Sequence, residues 1–345
     1  MGSLFRRVKD ESAACIVSVA ILALGMVLLF FLVPIWIEHH APVAIRGIFR
    51  HDEPTTIPQR TDSPETEKTR SSGRKPMGGT IILNSGHIPE MKPEINISAH
   101  LRSDINRLKG EFYDLERGRV DYGAMRSSDA YLQYAECTRL LREYDLSRLN
   151  SREEKLAFWV NLYNTLVIHG IIELGIRETV KEIPRFFRKI AYEIGGMVFT
   201  PDDIEHGILR GNSRPFYGLF RPFSSNDPRL RHIIALPDPR IHFTLVCASS
   251  SCPPINFYTP EWIDQQLDTA AAGFINGPEV EVLPEQNLLR LSPIFHWYRP
   301  DFGGSTGVAE TLARYLDPGE KRDFLLAGGK GARVEWRSYD WRLNR

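Results

Sequence analysis

Cysteine is scarce in this chain. Four in 345 residues are too few for a disulfide-stapled scaffold, and none stands in a C-x-x-C or C-x-x-H pair that would clip a metal. No H-E-x-x-H signature occurs either. Charge of one sign is also missing: Lys+Arg and Asp+Glu both total 43, for a formal net charge of zero. A polyanion-binding surface leaves a basic excess, so nucleic acid is not an expected partner. There is no internal repeat and no block of like charges, which sets aside solenoids and charged tails. With 42% hydrophobic and 25% charged residues, enough apolar material remains for one large domain or two small ones.

One long uncharged run is present. Residues 12–37, SAACIVSVAILALGMVLLFFLVPIWI, exceed the length needed to span a hydrocarbon core of about 30 Å. The run is longer than a signal-peptide core and ends in Val33-Pro34-Ile35-Trp36 rather than a small-x-small cleavage site, so an uncleaved transmembrane anchor is expected. Arg6, Arg7 and Lys9 precede it, against Arg46 and Arg50 beyond it. This bias puts residues 1–11 in the cytosol and the rest on the lumenal or extracellular side of a single-pass protein, with the lipid bilayer as partner through 12–37. Residues 38–95 interleave seven prolines with Thr, Ser, Glu, Lys and Arg and read as a disordered stalk. At its end, Asn96-Ile97-Ser98 is a sequon that a lumenal glycoprotein would expose.

Residues 96–345 alternate helix and strand signals without the regular beat of a doubly wound sheet. The expected class is α+β: a single globular domain of mixed helices and short antiparallel strands behind the N-terminal transmembrane helix. Leu101, Ile105, Leu108, Phe112 and Leu115 make one apolar helical stripe, and a second helix is expected over 128–144. Ser151-Arg152-Glu153-Glu154 is a capping box opening a long helix that ends near Gly175. AYEIGGMVFT predicts a hairpin about Gly195-Gly196, and Thr200-Pro201-Asp202-Asp203 starts a helix through Leu209. A strand is expected over 241–246, a helix from Thr259 to about Asn276, and strands over 280–283 and 288–291.

Several stretches together carry a resemblance: KLAFWVNLYNTLVIHG (155–170), IGGMVFTPDDIEHGILRG (194–211), DPRIHFTLVCASSSCPP (238–254), YTPEWIDQQLD (258–268), LSPIFHWYRPDF (291–302) and YDWRLN (339–344). In these motifs the chain resembles the domain-of-unknown-function 547 family over roughly 100–345. The resemblance implies a domain and no established activity, so chemistry has to come from the residues.

Asn161 and Asn164 lie three apart on an otherwise apolar helix, where an unpartnered amide costs about 1–3 kcal/mol. They either cap backbone groups of neighbouring loops or line a polar cleft and orient a catalytic group. Cys252 precedes Pro253-Pro254, which hold it extended at the expected strand end, where a nucleophile could sit. His242 on that strand or His206 in DIEHG would be its base, with Glu205 beside the latter. The same prolines offer no N–H to help a thiolate. In an oxidising lumen Cys252 could instead pair with Cys247 across a four-residue loop, or it could be an inert packed thiol. Cys137 reads as a core residue. Glu205 and His206 are adjacent and point apart, so only one is expected to face a cleft.

A zinc site from His169, His206, His242 and Cys252 is weighed against their long spacings, and neither metal nor cofactor is expected. In HWYRPDF, Arg299 and Tyr298 are candidate substrate-binding residues for a carboxylate or phosphate, against a local Arg299–Asp301 ion pair. Two functions follow. One is a membrane-anchored, thiol-dependent hydrolase or transferase with Cys252 as nucleophile and Asn161 or Asn164 as orienter. The other is a non-catalytic binding module for an unspecified protein or small molecule at a membrane surface.

Overall fold

The structure is a computed structural model that describes residues 79–90, 97–114 and 117–345. The expected anchor at 12–37, Asn96 of the sequon and most of the expected stalk lie outside the described residues. Among the described residues no helix is long and apolar enough to cross a membrane.

The elements run β1 (Ile81–Ile82), α1 (Ile97–Phe112), β2 (Tyr113–Asp114), β3 (Arg119–Val120), α2 (Tyr122–Arg126), α3 (Asp129–Thr138), α4 (Arg152–Leu174), α5 (Phe186–Lys189), β4 (Ile190–Ile194) and β5 (Met197–Phe199). After a π-helix at Asp203–Leu209 come α6 (Ile263–Ile275), β6 (Val280–Leu283), β7 (Leu288–Leu291), α7 (Ile294–Trp297), α8 (Gly304–Tyr315), α9 (Glu320–Leu326) and β8 (Arg333–Trp336). Short 3₁₀ turns join several of them. Mixed helices and short strands make this an α+β fold.

The capping box forms as read. Glu154 N–H donates to Ser151 Oγ at 3.0 Å, Ser151 N–H donates to Glu154 Oε2 at 2.9 Å, and α4 stops at Gly175 with φ 62°. From Leu156 to Ile172 almost every side chain of α4 is buried. A helix apolar all round must be wrapped, and α4 is the axle of the larger core, with Trp159, Leu166 and Ile171 fully enclosed. The stripe Leu101, Ile105 and Leu108 of α1 packs into the same core. A second core gathers Phe243, Phe274, Phe295 and Phe302 with Leu312 and Leu325.

Three expectations need correction. The strand expected over 241–246 is a 3₁₀ turn, Pro239–Phe243, because Asp238 accepts from Arg240 N–H at 3.0 Å and Pro239 sets the first helical φ. These start signals outweigh the β-branched run behind them. Strand pairing is not all antiparallel: β1 runs parallel to β4, and β7 parallel to β8. The ordered domain also begins upstream of 96, since β1 joins the β1-β4-β5 sheet and Asn84 clamps Glu193 through both its N–H and its carbonyl. The charged run around Arg333, by contrast, gave no strand signal, yet β8 forms there against β7.

The β4–β5 hairpin turns at Gly195 (φ 53°) and Gly196 (φ 74°) as expected. The two glycines are not equivalent. A Cβ on Gly195 would stand 2.7 Å from the Tyr144 carbonyl oxygen, whereas one on Gly196 meets nothing within 4 Å. Gly196→Ala should therefore cost only the left-handed backbone penalty of about 1 kcal/mol, and Gly195→Ala about 2–3 kcal/mol. Urea midpoints of the two variants check this; equal shifts would show that the close approach to Tyr144 does not count.

Candidate functional site

The two asparagines of α4 reach sideways to backbone. Asn161 donates from Nδ2 to Tyr258 O at 2.8 Å and accepts from Tyr258 N–H at 2.9 Å. Asn164 donates to Thr244 O at 3.0 Å and accepts from Val246 N–H at 2.8 Å. Each amide thus replaces a strand neighbour and pins an otherwise irregular segment to the central helix. The segment held by Asn164 leads directly into Cys247.

After Cys247 the backbone turns sharply. Ala248 takes a left-handed φ of 61° although it carries a Cβ, a strained conformation kept by its surroundings. Residues 339–344 supply that hold by running alongside: Asn344 N–H donates to Ala248 O, Ser250 N–H to Arg342 O, and Asp340 N–H to Ser251 Oγ. Two stretches noted separately in the sequence, CASSSCPP and YDWRLN, are therefore one structural unit.

The unit brings Cys247 and Cys252 together as free thiols with sulfurs 2.7 Å apart. Around the half-buried Cys247 sulfur stand the Cys252 thiol, Ser249 Oγ at 3.1 Å and Tyr339 Oη at 3.1 Å. Cys247 N–H in turn donates to Cys252 Sγ at 2.8 Å. Burial opposes a Cys247 thiolate, but the hydrogen bonds from Cys252, Ser249 and Tyr339 outweigh it and bring the thiol down to about 7. Burial pushes the Cys252 thiol well above its usual value, and the neighbouring Cys247 adds to the rise. The pair is therefore one acidic thiol and one reluctant one.

The histidines lie elsewhere. Thr200 and Asp203 cap a helix that then widens into the π-helix Asp203–Leu209, with Arg210 N–H bonded to Glu205 O and Asn212 N–H to Gly207 O, each five residues back. Adjacent Glu205 and His206 were expected to diverge. In the wider helix both are buried in one network, their side chains 3.6 Å apart. Arg210 is its hub. It forks onto Asp301 at 2.5 and 2.9 Å and donates to His206 Nδ1 at 2.9 Å. An arginine can only donate, so His206 Nδ1 accepts and its Nε2–H faces Tyr217 Oη at 3.1 Å; Tyr217 donates onward to Asp202 at 2.6 Å, where Arg188 closes the line at 2.5 Å.

His242 Nε2 donates to Asp301 at 2.8 Å, and its ring stacks on Tyr298 at 3.8 Å between centroids. Tyr298 donates to Glu205 at 2.6 Å. Burial would raise the Asp301 and Glu205 carboxyls, yet both lie below their usual range. For Asp301 the cause is His242 and Arg210; for Glu205 it is His206, the Tyr298 hydroxyl, His242 and Arg210. Burial lowers the His242 imidazole despite Asp301 and Glu205.

The six candidate residues thus divide among three places. Cys252 sits with Cys247; Glu205, His206 and His242 share the Arg210–Asp301 network; Asn161 and Asn164 are engaged with backbone. Among the described residues no imidazole is hydrogen-bonded to either sulfur. Tyr163 of α4 is within the electrostatic reach of Glu205 and Tyr298 and of both sulfurs. Tyr298 belongs to the network, whereas Arg299 is exposed beside it, and Asp301 pairs with Arg210 instead of Arg299. His169 is bonded instead to Tyr192 Oη at 2.8 Å.

Sequence reasoning missed Arg210, Tyr339 and the greater acidity of Cys247. The signal for the first was its spacing, since Arg210 follows His206 by four. For the others there was none, because Tyr339 arrives from 92 residues away.

No curated protein and no solved structure matches the chain. A family model described as "Protein of unknown function, DUF547" matches residues 146–275, a stretch that holds both asparagine clamps, Glu205, His206, Arg210, His242 and the cysteine pair and stops short of Tyr298, Asp301 and Tyr339. The resemblance read from the motifs is met there: residues 146–275 match the family model of DUF547.

Proposed function

We propose that the domain performs thiol–disulfide exchange, with Cys247 as the attacking sulfur and Cys252 as the resolving one. One observation carries this reading: three hydrogen-bonding groups, each able to donate, converge on the Cys247 sulfur, and one of them is a second thiol. The Cys247 thiolate attacks one sulfur of a substrate disulfide, forming a mixed disulfide and releasing the other sulfur as a thiolate that takes up a proton. Cys252 then loses its proton and attacks Cys247, closing a Cys247–Cys252 disulfide as the bound substrate leaves as a thiol. Cys247 N–H, already aimed at Cys252 Sγ, supports the charge that gathers there when Cys252 ionises.

Acyl transfer by a hydrolase or transferase with Cys252 as nucleophile would need an imidazole beside a sulfur to protonate the leaving group, and His242 and His206 are held by Asp301, Arg210 and Tyr217. Anchoring of the chain in a bilayer through 12–37, with the domain in an oxidising lumenal or extracellular compartment, is part of the same proposal and rests on the uncharged run and on Arg6, Arg7 and Lys9 before it. Such a compartment supplies disulfides as substrates.

Alkylation by iodoacetamide tests the reading. The wild type should react first at Cys247, with a rate that rises through an inflection near pH 7. At pH 7, Cys247→Ser should slow labelling of the pair about fifteenfold or more, the ratio of thiolate fractions for an acidic and an ordinary thiol. Glutathione disulfide should convert the wild type to an internal Cys247–Cys252 bond and leave each single serine variant as a mixed disulfide. Equal labelling of wild type and Cys247→Ser, or a wild type that stops at the mixed disulfide, overturns exchange and leaves a binding module.

A further inference from the structure

A third cluster lies away from the cysteine pair and from the Arg210 network. On α1, His100 and Asp104 stand four residues apart and share one helical face. From α3, the helix packed beside it, comes Cys137. One ligand atom from each of the three lies within 4.8 Å of the other two. His100 is exposed, while Asp104 and Cys137 are buried.

The arrangement is costly as an empty one. Asp104 is only 7% exposed, and its Oδ2 is buried with no hydrogen-bond partner. A buried carboxylate oxygen without a donor is an uncommon expense in a folded protein.

We infer that His100, Asp104 and Cys137 bind a divalent transition metal, Zn²⁺, that clips α1 to α3. The donor set is imidazole, carboxylate and thiolate, which suits Zn²⁺ and excludes the oxygen-only preference of Mg²⁺ and Ca²⁺. Tetrahedral zinc with these donors needs ligand atoms roughly 3.5 Å apart, so the present spacing closes with side-chain rotation of the order of 1 Å. Binding replaces the Cys137 thiol proton, which leaves to solvent; thiolate and carboxylate together then balance the metal's two charges, and Asp104 Oδ2 gains its missing partner. Three protein ligands leave the fourth position to water on the open His100 side.

The experiment loads the full chain, stripped by chelator, with Zn²⁺ or with Co²⁺ as a spectroscopic stand-in. One equivalent of zinc should survive dialysis, and Co²⁺ should give a thiolate-to-metal charge-transfer band. That band should persist in the Cys247→Ser/Cys252→Ser double variant, whose loss of thiols touches only the other pair, and vanish in Cys137→Ser. Because Cys137 is a core residue, exposed His100 provides the second variant: His100→Ala should fold, bind zinc at least about tenfold more weakly, and lose the zinc-dependent rise in melting temperature seen in the wild type. Substoichiometric zinc in the wild type, a band that survives Cys137→Ser, or equal zinc stabilisation of wild type and His100→Ala would overturn the site.

Discussion

Replacing Asp301 by alanine should cost about 3–5 kcal/mol of folding stability, because it removes the carboxylate onto which the buried Arg210 guanidinium forks. Asp301→Asn keeps the shape and one acceptor and should lose less. Both effects are read from urea denaturation at pH 7. The loss should also depend on pH, with a definite sign. Asp301 has a depressed carboxyl in the fold, so its contribution is complete above the unfolded value of about 4 and fades as pH falls through the lower folded value. His242 is depressed as well, so the unfolded chain takes up its proton first and stability begins to fall below about 6.5. The wild type should therefore lose stability on acidification in two stages. The gap between wild type and Asp301→Ala should be constant above about pH 5 and narrow below about 4. A gap that stays flat down to strong acid would mean that Arg210 is relieved by some other group.

Asn164→Ala should be the other severe change. It removes both partners of a buried N–H and a buried C=O, those of Val246 and Thr244, at about 1–3 kcal/mol each. Asn161→Ala removes the same number of bonds at Tyr258, but in a half-buried position where water can replace them, and should cost about half as much. The two variants differ further in reach. Only Asn164 holds the segment that aims Cys247, so only Asn164→Ala should slow alkylation at pH 7 in protein that is still folded. Equal slowing by Asn161→Ala would show that the acidity of Cys247 does not depend on this clamp.

Local signals carried much of the fold. The Ser151 box, the Gly175 stop, the Gly195-Gly196 turn and the Thr200 start are all fixed by residues within four positions of each other, and all were legible. The 239–243 region was misread because two local signals competed there, and the helix start beat the β-branched run. At the candidate site the asparagines were legible as polar groups needing partners, since burial leaves them no alternative. Which partners they found was not, because Tyr258 and Thr244 are 97 and 80 residues away. The division of labour between the two cysteines was hidden for the same reason: Cys252 had the more distinctive neighbours in sequence, whereas acidity is conferred in space by Ser249, Cys252 and Tyr339. Glu205 and His206 were expected to part because an ordinary α-helix would separate them, and the five-residue winding of that segment had no cue in the letters.

The pairing of residues 339–344 with the cysteine loop has a bearing on biosynthesis. During translation both sulfurs emerge well before Tyr339, which follows Cys247 by 92 residues. Until that strip is made and laid down, Cys247 lacks one of its three hydrogen-bond partners and Ala248 lacks the neighbour that holds its turn. A nascent chain therefore carries a less ionised sulfur at this position, and the acidity of Cys247 sets in only as folding finishes.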